Sequence, residues 1–257
     1  VTRDAAPHIH SEEAGAEGLP LIALVHGAMD RSAGMLKLSR RLDHDYRVLR
    51  YDRRGYARSS PHPGPFSIAH QVDDLIALLA GRPAVLVGHS YGGNVALAAA
   101  AQHPHLVRGV VTYESPVSWL SWWPSATAGG QAIAGAADPA AAAERFMRRL
   151  IGEARWDALP ERTRATRRAE GVALVGELSD LRAHAPWLPG AVTVPVWVGV
   201  GEAASPHQRQ GMEYVAEALP EATLVELPGG NHMANVTHPD LFRRLLIDPL
   251  VARVGRW

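Results

Sequence analysis

The chain has 257 residues, 47% hydrophobic and 20% charged, a composition that argues against a disordered or membrane-embedded chain and leaves room for one large α/β domain or two small ones. Acidic and basic residues number 26 each, so no bulk field gathers nucleic acid or anionic lipid, and a small molecule is the expected partner. Cysteine is absent, which removes disulfides, thiolate metal sites and cysteine nucleophiles.

The N-terminal stretch VTRDAAPHIHSEEAGAEG is polar and lacks an apolar signal core, and nowhere do 18 apolar residues run together. A cytoplasmic chain that makes no membrane contact is the expectation. Apolar runs bounded by Gly or Pro at 19–27, 46–55, 83–90, 106–116, 194–202 and 222–230 read as strands. Helix-length segments at 67–80, 91–103, 206–219 and 238–253 lie between or after them. Such alternation predicts a parallel sheet with helices on both faces, and functional groups at the carboxyl ends of its strands.

Residues 115–190 interrupt the rhythm with no strand-like run. DPAAAAERFMRRLIGEARW and PERTRATRRAEGVALVGELSDLRAH read as one helix each, the first with Asp138 as N-cap and Pro139 at the first helical position. The expected organisation is a core of 1–114 and 191–257 carrying a helical cap at 115–190.

Gly88-His89-Ser90-Tyr91-Gly92 fits G-x-S-x-G, a sharp strand-to-helix turn that lifts a serine hydroxyl above the sheet. An apolar strand ends before it and a helix of small residues follows, so Ser90 is the candidate nucleophile. A serine needs a general base, and on such a fold the histidine comes last in the chain. His232, in LPGGNHMANVTHPDLF after the last strand, fits that place; His238 fits the start of the terminal helix, and His89 fits packing under the turn.

On these motifs the chain resembles the α/β-hydrolase superfamily from about residue 19 to 253. LVHGAMD resembles its H-G loop, and YDRRGYARSS its D-x-R-G-x-G-x-S segment, with Ala57 in place of a glycine. The resemblance implies an oxyanion hole from the amides of Ala28 and Tyr91, each donor worth about 3 kcal/mol. It implies no metal and no organic cofactor.

The family's usual acid follows the strand VPVWVGVG in a G-x-x-D arrangement, but this chain reads Gly201-Glu202-Ala203-Ala204-Ser205. Three alternatives remain: Glu114 at the end of the strand VVTYESP, Glu202, or a dyad with no acid. Glu114 before a proline-containing cap entrance, with no acid after the next strand and an LPG…H…HPD…F ending, resembles zearalenone-hydrolysing lactonases. Trp119, Trp122 and Trp123 begin the cap segment, and with Met233 beside His232 they are candidate substrate contacts for an apolar or aromatic ligand. The cap arginines raise an anionic partner as an alternative, but their helical spacing among glutamates reads as a solvated outer face.

The expected activity is a serine hydrolase of a moderately bulky ester or lactone. Carbon–carbon bond hydrolysis, perhydrolysis or cofactor-free oxygen chemistry on the same fold, and a hydrolase-derived ligand-binding protein, are the alternatives. Serine rather than aspartate at 90 argues against epoxide and haloalkane hydrolysis.

Overall fold

The structure is a computed structural model that describes residues 8–255 and 257. The first seven residues of the polar leader, on which the signal-peptide expectation partly rests, lie outside the described residues. Seven strands form one sheet: β1 (Ser11–Ala14), β2 (Leu21–Val25), β3 (Arg47–Tyr51), β4 (Ala84–His89), β5 (Val107–Tyr113), β6 (Val196–Gly201) and β7 (Ala222–Leu227). Their order is β1-β3-β2-β4-β5-β6-β7, parallel throughout except for β1, which pairs antiparallel with β3. The six predicted strands are all present, each within a few residues of the expected ends.

Strand β1 is unforeseen because its sequence, SEEA, is polar. Its glutamates are edge-strand residues that reach arginines of β3: Glu12 takes a 2.7 Å ion pair from Arg50, and Glu13 one of 2.7 Å from Arg47. At the centre of the sheet every residue of β2 and β4 is buried, as expected for strands covered on both faces. Each of Val85, Leu86 and Val87 stabilises the fold by about 1.5–3 kcal/mol through that burial.

Helices α1 (Leu36–Leu42), α2 (Ile68–Leu79) and α3 (Tyr91–Gln102) cover the first half of the sheet. In α2 the residues Ile68, Val72, Leu75 and Leu79 recur at helical spacing and are the buried face. Helix α3 is buried on all sides from Tyr91 to Ala100, which its run of small residues permits.

Between β5 and β6 lie α4 (Ala128–Ala134), α5 (Pro139–Ile151), α6 (Glu153–Asp157), α7 (Glu161–Ala169) and α8 (Gly171–Ala183). The Asp138 cap forms as expected, its side chain accepting the Ala141 N–H at 3.0 Å. Each of the two long predicted helices is, however, two. The first breaks at Gly152, whose φ of 89° no helix accommodates. The second breaks at Glu170, whose buried carboxylate accepts the Ala57 N–H at 2.9 Å and pairs with Arg167 at 3.0 Å and Arg31 at 3.2 Å.

Helix α8 is fastened to the first half of the chain by carboxylates. Glu177 pairs with Arg53 at 2.5 Å, both side chains essentially without exposure, and accepts the Tyr56 hydroxyl at 2.7 Å. Asp180 accepts the Ile68 N–H at 2.9 Å, at the start of α2.

The chain continues through β6 into α9 (Pro206–Ala218) and, after β7, into α10 (Ala234–Thr237), α11 (Pro239–Phe242) and α12 (Asp248–Val254). His238 occupies the N-cap position of α11, and the predicted terminal helix is interrupted by a wide turn over Arg243–Ile247. No helix among the described residues is long and apolar enough to cross a membrane.

Candidate active site

Ser90 joins β4 to α3 at φ 53° and ψ −124°, a conformation that costs about 1–3 kcal/mol for a residue with a side chain. The turn closes because its flanks are bare: a Cβ on Gly88 would lie 2.5 Å from the Gly92 oxygen, and one on Gly92 would lie 2.6 Å from that of His26. The Ser90 N–H donates to the Tyr113 carbonyl at 2.8 Å, which ties the turn to the end of β5.

One residue further, Glu114 also has positive φ, 45°, and its N–H donates to Gly199 of β6 at 3.1 Å. The bend sends its side chain into the protein, where it is 2% exposed. Oε1 accepts the Gly201 N–H at 3.0 Å, and Oε2 accepts from His232 Nδ1 at 2.8 Å. Glu202 goes elsewhere. Its carboxylate accepts the Gly229 N–H at 2.7 Å on the surface, because the residue directly after Gly201 emerges on the side away from His232.

The His232 loop is held from below. His89 Nε2–H donates to the His232 carbonyl at 2.7 Å, and the Tyr113 hydroxyl donates to the Asn231 carbonyl at 2.8 Å. Burial, and the neighbouring His232, push the His89 pKa down to about 3, so its ring is neutral and supports the loop as the sequence suggested. Burial also holds His26 well below the usual histidine range; its Nδ1–H donates to Gly27 O at 2.8 Å while Nε2 accepts the Arg53 N–H at 2.9 Å. Those bonds fix the H-G loop that carries Ala28.

Ser90, Glu114, His232, Ala28 and Tyr91 all border one cavity of about 260 Å³. Tyr91 is the first residue of α3, so its N–H has no acceptor within the helix. Its ring lies in the core under the Arg53 guanidinium, 4.7 Å from the ring centre.

Of the four expected substrate contacts, only Trp123 borders this cavity. Trp119 instead stands edge-on to Trp187, which donates to Asn94 of α3 at 3.3 Å, so it packs the insertion onto the core. Trp122 is 38% exposed at the surface, and Met233 sits in a turn where its N–H donates to Asn231 Oδ1 at 2.9 Å. Ile133, Phe146 and Leu178 of the insertion supply the remaining apolar wall.

Sequence reasoning missed Gln208, His207, Arg149 and Arg182, which also line the cavity. Gln208 was legible: Ser205-Pro206-His207-Gln208 is a capping box, and both of its bonds form. The box holds Gln208 Oε1 on Ser205 and leaves Nε2 3.0 Å from His232 Nδ1. His207 stands edge-on to Trp123 at 5.0 Å, its pKa lowered by burial and by the charge of Arg149. The arginine run is mostly the solvated face that was expected, Arg148 pairing with Glu144, Glu153 and Asp157. Arg149 departs from that expectation.

A profile of the alpha/beta hydrolase family matches residues 22–245. The chain belongs to this family and is a hydrolase. This α/β-hydrolase is 26% identical over 235 residues to 2-(acetamidomethylene)succinate hydrolase of Mesorhizobium japonicum, a match covering 86% of the chain and 84% of the relative. Its fold is similar to that of the enol-lactonase from Burkholderia xenovorans, with TM-score 0.71, 22% identity and coverage of 92% of this chain and 94% of the other. It is likewise similar to a thermophilic esterase from Thermogutta terrifontis, with TM-score 0.72, 23% identity and coverage of 96% and 93%.

Proposed function

We propose that this hydrolase cleaves carboxylic esters or lactones through an acyl-enzyme on Ser90. The observation that carries the reading is the meeting of a strained serine turn and a buried Glu114–His232 pair at one cavity. Glu114 accepts the Nδ1 proton of His232, which leaves Nε2 as the base. Ser90 Oγ bonds to the carbonyl carbon while its proton passes to Nε2. The carbonyl π electrons become an oxyanion facing the N–H groups of Ala28 and Tyr91. Collapse breaks the ester C–O bond, and the leaving oxygen takes the proton from His232. Water, deprotonated by the same histidine, then cleaves the acyl-enzyme to give acid and free serine.

In this reading residues 115–190 serve as a cap, since Trp123, Ile133, Phe146 and Leu178 line the same cavity as Ser90. A volume of about 260 Å³ favours a compact substrate, at the small end of ligand sites. The placement of the acid after β5 supports a lactonase, with zearalenone-type lactones as the finer form of the reading.

Labelling with a fluorophosphonate, followed by peptide mapping, tests the nucleophile: modification at Ser90, lost in Ser90→Ala, is expected. Zearalenone consumption followed by chromatography, beside a panel of aryl esters, tests the substrate. Retention of most hydrolysis by Ser90→Ala would overturn the acyl-enzyme and favour a reaction run by the histidine and acid alone.

A further inference from the structure

We infer that the substrate is an ester or lactone bearing a carboxylate, which Arg149 and Arg182 receive; this rests on the acyl-enzyme reading above and replaces its zearalenone-type form, since that lactone carries no carboxylate. Both arginines border the cavity that holds Ser90 and His232. Among the described residues neither has a carboxylate within 4.0 Å, unlike Arg148, Arg167 and Arg168 of the same insertion; Arg145, Arg155 and Arg162 are also without an ion pair, but they do not border the cavity. Each is oriented by neutral acceptors. Arg149 Nη1 donates to the Ala126 carbonyl at 2.9 Å and to Gln131 Oε1 at 3.0 Å, and Arg182 Nη1 donates to the Trp123 carbonyl at 3.2 Å.

Carbonyl and amide oxygens hold a guanidinium in place without neutralising it. Most of the five N–H donors on each group remain unspent, in the planar fork that suits a carboxylate. Both residues stand in the last turn of a helix, where the helix dipole favours any cation, but that preference does not select the cavity side.

Among the described residues Glu114 is the one acid bordering the cavity, and it is already committed to Gly201 and His232. It therefore leaves the two guanidinium charges open to a ligand. Arg149 also contributes to the lowered pKa of His207, which places its field inside the site rather than only in solvent. Arg149 is exposed and Arg182 half-buried, so the pair stands at the mouth of the cavity, where a ligand carboxylate can reach both from solvent. With about 260 Å³ to fill, ester and carboxylate are separated by only a few bonds.

The test compares 4-nitrophenyl hemiglutarate with 4-nitrophenyl pentanoate, which exchange a carboxylate for a methyl group at the same chain length. The ratio of their kcat/KM values is expected to favour the hemiglutarate by about tenfold or more in the wild type. It should fall by at least that factor in Arg149→Gln, Arg182→Gln and the double variant, through KM rather than kcat, and recover partly with lysine. A ratio near one, or one that the glutamine variants leave unmoved while their melting curves stay cooperative, overturns the inference. If neither ester is cleaved, the ester-cleaving acyl-enzyme reading fails and glutarate binding decides separately. A rise in Tm with millimolar glutarate, seen in Ser90→Ala and absent in the double variant, upholds the carboxylate site, and no rise in either refutes it.

Discussion

Neighbouring strands β4 and β5 hand the chain to residues with the same unusual backbone sign, Ser90 at φ 53° and Glu114 at φ 45°. In each case the N–H is caught by the next strand: Tyr113 of β5 holds Ser90, and Gly199 of β6 holds Glu114. What differs is how the strain is supported. Around Ser90 it rests on packing, with Gly88 and Gly92 letting α3 approach the H-G loop, and the side chain stays accessible at the cavity. Around Glu114 it rests on hydrogen bonds, both carboxylate oxygens being occupied and the side chain excluded from water. The proposed nucleophile and the proposed orienting acid, at the two strand ends, thus share one backbone device with opposite surroundings.

The largest effect separating these ends is expected from Glu114→Gln, which keeps the shape and removes the charge: kcat should fall by about 10³–10⁴, while Glu202→Gln should change it less than about threefold. Steady-state rates on one ester check both, and comparable losses in the two variants would erase the distinction between the acids. Glu177 is a buried carboxylate with a different task, clamping α8 to Arg53. Glu177→Ala leaves that guanidinium uncompensated and should cost about 3–5 kcal/mol of stability in denaturant unfolding, a loss larger than Glu202→Gln produces.

A smaller effect comes from the support beneath His232. The folded pKa of His89, about 3, lies below the ordinary 6.5, so the unfolded chain binds this proton more readily than the folded one. The stability involved is complete above pH 6.5 and is lost as pH falls from there toward 3, amounting to about 2 kcal/mol at pH 5. Unfolding curves at pH 7 and pH 5 should show that drop, and His89→Asn should shrink it. His26, also held low by burial, acts in the same direction. The smallest change concerns a third non-glycine residue at positive φ, Ala57 at 45°. Ala57→Gly should stabilise the fold by up to about 1 kcal/mol, measurable as a rise in Tm, since the left-handed conformation is strained for alanine.

The glycines at 88 and 92 made the Ser90 end visible in the sequence, because backbone crowding there allows no other residue. Glu114 carries no such mark. Its neighbours are ordinary, its strain is relieved by bonds to β6, and attention came to it from the missing aspartate near Ala204 and from a resemblance in the sequence before Pro116. The sheet was legible wherever strands are buried on both faces, whereas β1 was not, its pairing depending on glutamates that meet arginines 34 and 38 residues away. Tryptophan chemistry pointed to the insertion but not to which ring turns inward, a matter settled by packing against Trp187 and Asn94. Arg149 was hidden for a related reason, since one step along α5 separates the half-buried Arg148, paired with acids, from the exposed Arg149, which has no acid partner among the described residues and borders the cavity.

Gln208 gives the loss of Glu114 a particular form. With the carboxylate present, the Nδ1 proton of His232 has its acceptor, and the lone pair on Nε2 is free. With it removed, the amide nitrogen 3.0 Å away becomes the near partner of Nδ1, and that amide cannot rotate because Ser205 holds its oxygen. Nδ1 must then accept, the proton moves to Nε2, and the ring presents a donor where the proposed mechanism calls for an acceptor of the Ser90 proton. The small motif that begins α9 would latch the imidazole in its reversed tautomer.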